Sequence, residues 1–258
     1  MVSMSHDGYL CGYGYLKREQ RHLQGYLDIV RAPEASMGGS AFALPLFPLN
    51  IVLFPGMVLP LHIFEPRYRL MVKRCLEQAA VFGVVLVRPG CSQGRERPHQ
   101  VGTIARIMTA ERLSDGRFNL LTEGGKRFRI LEERHDEPYL VGLVEELSDS
   151  QAEPEAVEML QCKAKDLFRR YIRVMLAVAG REQLRLDLPD EAEDLSYLIG
   201  YCLDLTDAEK QQLLELTSTT RRLELEIDIL RREEQILRRM LSSSQLRLSS
   251  DDPHASLN

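Results

Sequence analysis

The spacing of apolar positions changes character twice along the chain. Residues 1–41 hold no sustained pattern. A glycine- and tyrosine-rich run, Gly8 to Tyr15, gives way to a weakly amphipathic stretch from Leu16 to Val30 and then to Ser36-Met37-Gly38-Gly39-Ser40. This composition reads as a flexible extension over 1–41, and Met37 suggests a gene start just ahead of the patterned region. From 42 to 150 the pattern is that of strands. Ile51-Val52-Leu53-Phe54 is a continuous apolar run closed by the turn pair Pro55-Gly56. Met57 to Phe64 is a second run, and Pro60 places it at an edge or a bulge, because proline has no N–H for a ladder. Pro66, Tyr68, Met71, Val72, Cys75 and Leu76 then recur at helical spacing and predict one helix ending near Gln78.

Strands resume at Phe82–Val87, Val101–Leu113, Phe118–Thr122, Arg127–Leu131 and Tyr139–Val144. Asp115-Gly116 marks a hairpin turn and Gly124-Gly125 a bend. The segment Leu44 to Leu49, with prolines at 45 and 48, predicts an edge strand beside apolar pockets, or equally the first strand of the core. Many short strands with one helix predict a compact β-barrel or curled sheet. Beyond Pro154 the period lengthens. Glu155 to Ala179 has one apolar helical face, and Pro189 to Glu193 opens a further helix. Thr206 and Glu209 form a capping box at the start of a long helix. In it Leu213, Leu216, Thr220, Leu223, Ile227, Leu230, Glu234, Leu237 and Leu241 alternate in steps of three and four, an a/d seam with polar interruptions at Thr220 and Glu234. Ser242-Ser243-Ser244 ends the pattern. The expected organisation is α+β: a barrel over 42–150, a helical bundle over 151–241 with a long terminal helix, and a disordered tail over 242–258.

Charge and composition exclude several functions. The net charge is −5, with 33 Lys and Arg against 38 Asp and Glu, which disfavours a protein built chiefly to bind nucleic-acid phosphates. The five cysteines are widely spaced and no two form Cys-x-x-Cys, so neither a zinc ribbon nor a thioredoxin motif is present. No apolar run reaches the roughly 18 residues of a membrane helix, and the N-terminus has no secretory pattern; a cytoplasmic protein is expected. The only Gly-Lys pair, Gly125-Lys126, is followed by Arg127 and lacks the earlier glycine of a phosphate-binding loop. No Gly-x-Ser-x-Gly nucleophile elbow occurs.

The remaining polar features favour structure over chemistry. His62 and Glu65 are three apart but have no second clustered pair for a metal. Glu65 opposes the helix dipole at the start of the helix beginning with Pro66, and Arg67 forms an ion pair with Glu65 or receives a partner's carboxylate. In Lys126-Arg127-Phe128-Arg129 the alternation of a strand, Phe128 and Ile130 inward, Arg127 and Arg129 outward, explains the pattern without a nucleic-acid ligand.

The opening Leu44-Pro45-Leu46-Phe47-Pro48-Leu49-Asn50, then Leu53-Phe54-Pro55-Gly56 and Pro60-Leu61-His62-Ile63-Phe64-Glu65-Pro66-Arg67-Tyr68, resembles the start of the N-terminal, substrate-binding domain of Lon-type ATP-dependent proteases. Val101-Gly102-Thr103-Ile104-Ala105, Gly124-Gly125-Lys126-Arg127-Phe128, and the helical pieces Leu188-Pro189, Leu205 to Leu216 and Arg222-Leu223 continue the resemblance over about 42–240. It implies a PUA-like β-barrel followed by helices, a stand-alone form without ATPase or peptidase, and no catalytic, cofactor or metal residues. The expected function is a non-enzymatic module for unfolded or exposed apolar protein segments, held on the barrel's edge by Leu46, Phe47, Phe54, Ile63, Phe64 and Arg67, with a protease or chaperone as partner. The terminal helix would mediate homo-oligomer formation or pack within its own chain. PUA-like barrels also occur in RNA-binding proteins, so RNA binding is the alternative.

Overall fold

The computed structural model describes residues 41–250 except 79–80, 91–96, 151–152 and 179–185. The flexible extension expected over 1–41, all but its last residue, and the last eight residues of the expected tail lie outside the described residues. In chain order the elements are β1 (Phe42–Leu49), β2 (Val58–Ile63), α1 (Pro66–Glu77), β3 (Val81–Leu86), β4 (Val101–Arg112), β5 (Phe118–Arg134), β6 (Val141–Leu147), α2 (Pro154–Val178), α3 (Ala192–Cys202), α4 (Asp207–Glu215) and α5 (Thr219–Ser250).

β4 and β5 form a hairpin through the expected Asp115-Gly116 turn. Gly116 takes φ +82°, a left-handed conformation that glycine reaches without a Cβ clash. Its N–H donates to the Leu113 carbonyl at 2.9 Å, and the Leu113 N–H donates to Arg117 at 2.8 Å. β5 runs unbroken for 17 residues through the Gly124-Gly125 pair, and the bend expected there takes the form of a register shift against β4, with Thr103 facing Arg127 and Ala105 facing Gly124. Its first half pairs with β2, and its second half pairs with β6. The sheet order is β2-β5-β4-β3-β1-β6, and the added β5–β6 pairing closes five strands into a barrel. Gly124 also serves a close approach, because a Cβ there would run into the Phe54 carbonyl.

Two sequence expectations fail within the barrel. Ile51–Phe54 is no strand; it is an extended connector with Val52, Leu53 and Phe54 buried. A buried backbone needs its polar groups paired, and the Thr103 hydroxyl meets that need by donating to the Leu53 carbonyl at 2.6 Å. For β1 the edge-strand alternative fails and the core-strand alternative holds. Phe42–Pro45 pair with β6 and Leu46–Leu49 pair with β3, so each half is laddered on one side only. The Leu46 N–H points to β6, donating to Leu140, and the Leu49 carbonyl points to β3, accepting from Val87. By alternation, Pro45 directs its missing N–H away from β6 and Pro48 away from β3, where neither is needed. Among the described residues the strand with a single sheet neighbour is β2, the run that Pro60 had marked.

The chain divides into two compact units. The first comprises the described residues up to Ser148 together with Gly200–Thr217; the second comprises Asp149–Ile199 and the described residues from Ser218 onward. Sequence periodicity had grouped Gly200–Thr217 with the other helices, whereas this segment packs with the barrel. Leu44, Leu46, Val85, Phe128, Ile130 and Val144 form one core of the first unit. A larger core gathers Phe47, Leu53, Leu59, Ile63 and Phe82 beneath Tyr68, Met71, Val72 and Cys75 of α1.

In the second unit α2 packs on α5. Leu223, Ile227 and Leu230 are at most 2% exposed, and each stabilises the unit by about 1.5–3 kcal/mol. The seam from Leu223 to Leu230 is therefore occupied within its own chain, while Leu237 and Leu241 stay half-buried. The single long helix expected from Thr206 is in fact two, α4 and α5, with Leu216 extended between them at ψ 130°. The run Thr217-Ser218-Thr219-Thr220 explains the break, since hydroxyl side chains favour caps over helix interiors. The Ser218 hydroxyl accepts from the Arg221 N–H at 3.3 Å. At the other end α5 does not stop at Leu241 but runs to Ser250. Serine costs a helix only a few tenths of a kcal/mol, and Gln245, Leu246 and Arg247 that follow are good helix formers.

Candidate functional site

The edge strand β2 is built by alternation. Leu59 and Ile63 point into the core, while Pro60 and His62 are exposed, and so is Phe64 just beyond the strand. Phe64 is 43% exposed, and the His62 ring stacks beside it with centroids 6.3 Å apart. His62 is fixed from both sides: Nδ1 donates to Asn119 Oδ1 at 2.7 Å and Nε2 accepts from Arg117 at 3.2 Å. That pattern places its proton on Nδ1, with Asn119 oriented by donating its amide to Glu111 at 2.9 Å.

The start of α1 lies next along the chain. Glu65 is its N-cap residue and makes no side-chain cap. Its carboxylate instead accepts from Arg67 Nε at 2.9 Å, forming the ion pair expected from the sequence. The Arg67 guanidinium also lies 4.4 Å from the centre of the Tyr68 ring, within cation–π range. The result is a half-buried arginine held in place at the end of an exposed apolar and aromatic strip.

Of the six residues expected to hold a peptide, the structure leaves two at the surface, Phe64 and Arg67. Leu46, Phe47, Phe54 and Ile63 are 0%, 7%, 0% and 1% exposed and cannot touch a ligand while the barrel is intact. Their apolar pattern is that of the two cores. The expectation that they line pockets is thereby corrected, because β1 is interior to the sheet and the Ile51–Phe54 connector is buried beneath β5.

The basic strand segment is also re-read. Phe128 is fully buried and offers no face to a base, and Arg129 pairs with Glu145 at 3.5 Å. Arg127 does not reach solvent as expected. It leaves the barrel wall, is 2% exposed, and donates from Nη1 to the carbonyls of Leu214 and Leu216, both at 2.6 Å. These carbonyls close the C-terminal end of α4, where a cation is favoured by the helix dipole. Gln211 adds a second tie, donating to Val101 at 3.0 Å. The strand alternation that sends Arg127 outward was legible; its cover was not, because α4 follows 80 residues later.

The second unit holds a buried polar cluster that sequence reasoning missed. Arg222 is fully buried, donates to Asp149 and Ser196 at 2.7 Å each, and lies 4.3 Å from the Tyr197 ring centre. One turn on, Glu226 is fully buried and neither carboxylate oxygen has a hydrogen-bond partner. Desolvation holds its carboxyl well above the usual range, and the nearby Arg222 charge offsets this only in part. Among the described residues, no group of three His, Cys, Asp or Glu side chains is placed to hold a metal ion, and no helix is long and apolar enough to cross a membrane.

A PUA-like barrel followed by helices is an α+β fold of the Lon N-terminal class. Residues 43–232 match the family of the ATP-dependent protease La (LON) substrate-binding domain, and the chain belongs to that family. It is 31% identical to the Lon protease of Anaeromyxobacter dehalogenans over 199 residues, covering 76% of this chain and 24% of that protein. The Lon protease 2 of Myxococcus xanthus is 30% identical over the same shares. The chain thus spans about a quarter of the length of these curated relatives. Among solved structures, a Lon N-terminal domain protein from Xanthomonas campestris is 30% identical with a TM-score of 0.53, covering 71% of this chain and 96% of that one. The N-terminal domain of the Mycobacterium avium complex Lon protease shares the fold at a TM-score of 0.56 and 22% identity, covering 73% and 98%.

Proposed function

We propose that this chain is a non-enzymatic protein-binding module that takes extended, apolar segments of unfolded proteins along the open edge of β2. The observation that carries the reading is the combination at β2: one sheet neighbour only, with the exposed Phe64 at its end. A free strand edge supplies backbone hydrogen bonds that do not depend on the client's sequence, and alternate side chains supply selectivity. Phe64 is the apolar anchor, and Arg67 steers acidic residues of the client. The family's substrate-binding description supports a protein client and a protease context. A protease or chaperone then receives the bound segment, in the cytoplasm.

The test is binding of the purified chain to a permanently unfolded model protein, with the native form of that protein and a mixed RNA as controls, at two salt concentrations. Selective binding to the unfolded form is expected, little changed by salt. Phe64→Ser, which leaves the cores untouched, weakens it by roughly tenfold, about 1.4 kcal/mol. Binding to RNA alone, weakening steeply with salt, would remove this reading.

A further inference from the structure

The second unit carries a charged feature that the binding of extended segments does not use. α2 sets Lys163, Arg170 and Arg173 at steps of seven and three residues, with Arg169 beside them, and α5 brings Arg231 to the same place. Together they line an open cavity of about 470 Å³ with the buried Leu167 beneath. Five of its seven lining residues are cationic, in a chain whose net charge is −5.

Three of the five cations have a carboxylate partner, and one of these partners, Asp166, itself lines the cavity. Arg169 meets Asp166 at 3.7 Å, Arg170 meets Glu234 at 3.8 Å and Arg231 meets Asp228 at 3.3 Å. Glu234 is engaged more tightly by Arg238, at 2.7 Å. Lys163 and Arg173 have no ion pair among the described residues. Arg173 follows Arg169 by four residues and Arg170 by three, spacings at which like charges repel on a helix. All five cations are exposed, so packing does not require them. The repulsion among these exposed cations is a cost that a bound anion would offset.

We propose that this cavity binds a compact polyanion of the oligophosphate type. Four of the five cations are arginines, whose planar forks match phosphate oxygens in pairs. The volume lies in the range of small-molecule sites. No aromatic residue lines the cavity, so nothing stacks a base, and the phosphate chain is the recognised part. The negative charge of the whole chain does not oppose this, since exposed charges farther off than about 8–10 Å are screened at physiological salt. The site is independent of the β2 edge and extends the function beyond the binding of protein segments.

The test is calorimetric titration of the full chain with inorganic tripolyphosphate and, in a second arm, with ATP, at low and at physiological salt. Saturable binding of one molecule per chain is expected, weaker at the higher salt. Arg173→Glu and Lys163→Glu each weaken it by about tenfold or more, with unchanged circular dichroism. Arg134→Glu, a reversal at an exposed arginine of the barrel, leaves it unchanged. The tighter of the two ligands tells whether a free oligophosphate or a nucleotide's phosphate chain is the source. Absence of saturable binding to both, equal loss in the Arg134 variant, or no loss in either cavity variant would overturn the proposal. So would binding confined to a glutamate-rich peptide, which would assign the cavity to protein carboxylates.

Discussion

Replacing Arg127 by methionine tests whether one buried guanidinium fastens Gly200–Thr217 to the barrel. Methionine keeps the unbranched stem and removes the two hydrogen bonds to Leu214 and Leu216. A hydrogen bond from a charged donor contributes about 1.5–3 kcal/mol, and both carbonyls would be left at a helix end without that donor. The loss of the cation near the helix C-terminus adds about 0.3–1 kcal/mol. The expected loss by these figures is about 3–7 kcal/mol. That is a large part of the roughly 5–15 kcal/mol available to a folded domain. Arg127→Lys keeps the charge without the fork and loses about half as much. The assay is urea unfolding followed by far-ultraviolet circular dichroism, because the chain has no tryptophan to report. Limited proteolysis within Gly200–Thr217 gives a local readout. A loss under about 1 kcal/mol in Arg127→Met, or equal losses in the two variants, would refute the assignment.

Glu226→Gln stabilises the second unit increasingly as pH rises. The folded carboxyl titrates above its unfolded value, so folding retains a proton that the unfolded chain releases. Stability is complete below the unfolded pKa and falls by up to about 1.4 kcal/mol per pH unit above it, until the folded pKa is passed; equal gains for the variant at pH 5 and pH 8 in urea midpoints would contradict this. Gly83→Ala places a Cβ 2.6 Å from Phe128 and 2.7 Å from Leu46, and costs about 2–3 kcal/mol of overpacking by the same assay. Thiol labelling at pH 7.5 modifies the exposed Cys162 quickly; the half-buried Cys202, its thiol pushed up to about 12 by desolvation, reacts more slowly, and the buried Cys75, pushed up to about 11, reacts only on unfolding. Fast labelling of Cys75 in the folded chain would show that the core beneath α1 is open.

The elements were legible where a single period governs them, as in β3, β4 and α1, and the capping box at Thr206 was legible because its partners are three residues apart. Both Thr206–Glu209 contacts form. What failed had non-local causes. The Ile51–Phe54 run reads as a strand by composition, and only the Thr103 hydroxyl on a distant strand shows why it needs no ladder. The prolines of β1 pointed to an edge, but a strand that changes partner midway tolerates them inside a sheet. The binding residues were chosen for being apolar and near the family motif, which selects the core first; Phe64 survived because it falls beyond the alternation of β2. The cation cavity was not legible at all. It joins residues of α2 to Arg231 of α5, and no local pattern links positions 60 residues apart.

On the proposed reading β2 offers its edge to extended clients, and amide hydrogen exchange of the full chain, with and without an unfolded model protein, is the direct test. Exchange is expected to slow at Val58, His62 and Phe64 when the client is added, because these amides alternate away from β5 and Pro60 between them has no N–H to protect. Protection confined to the helical unit, or binding with no change at β2, would contradict it.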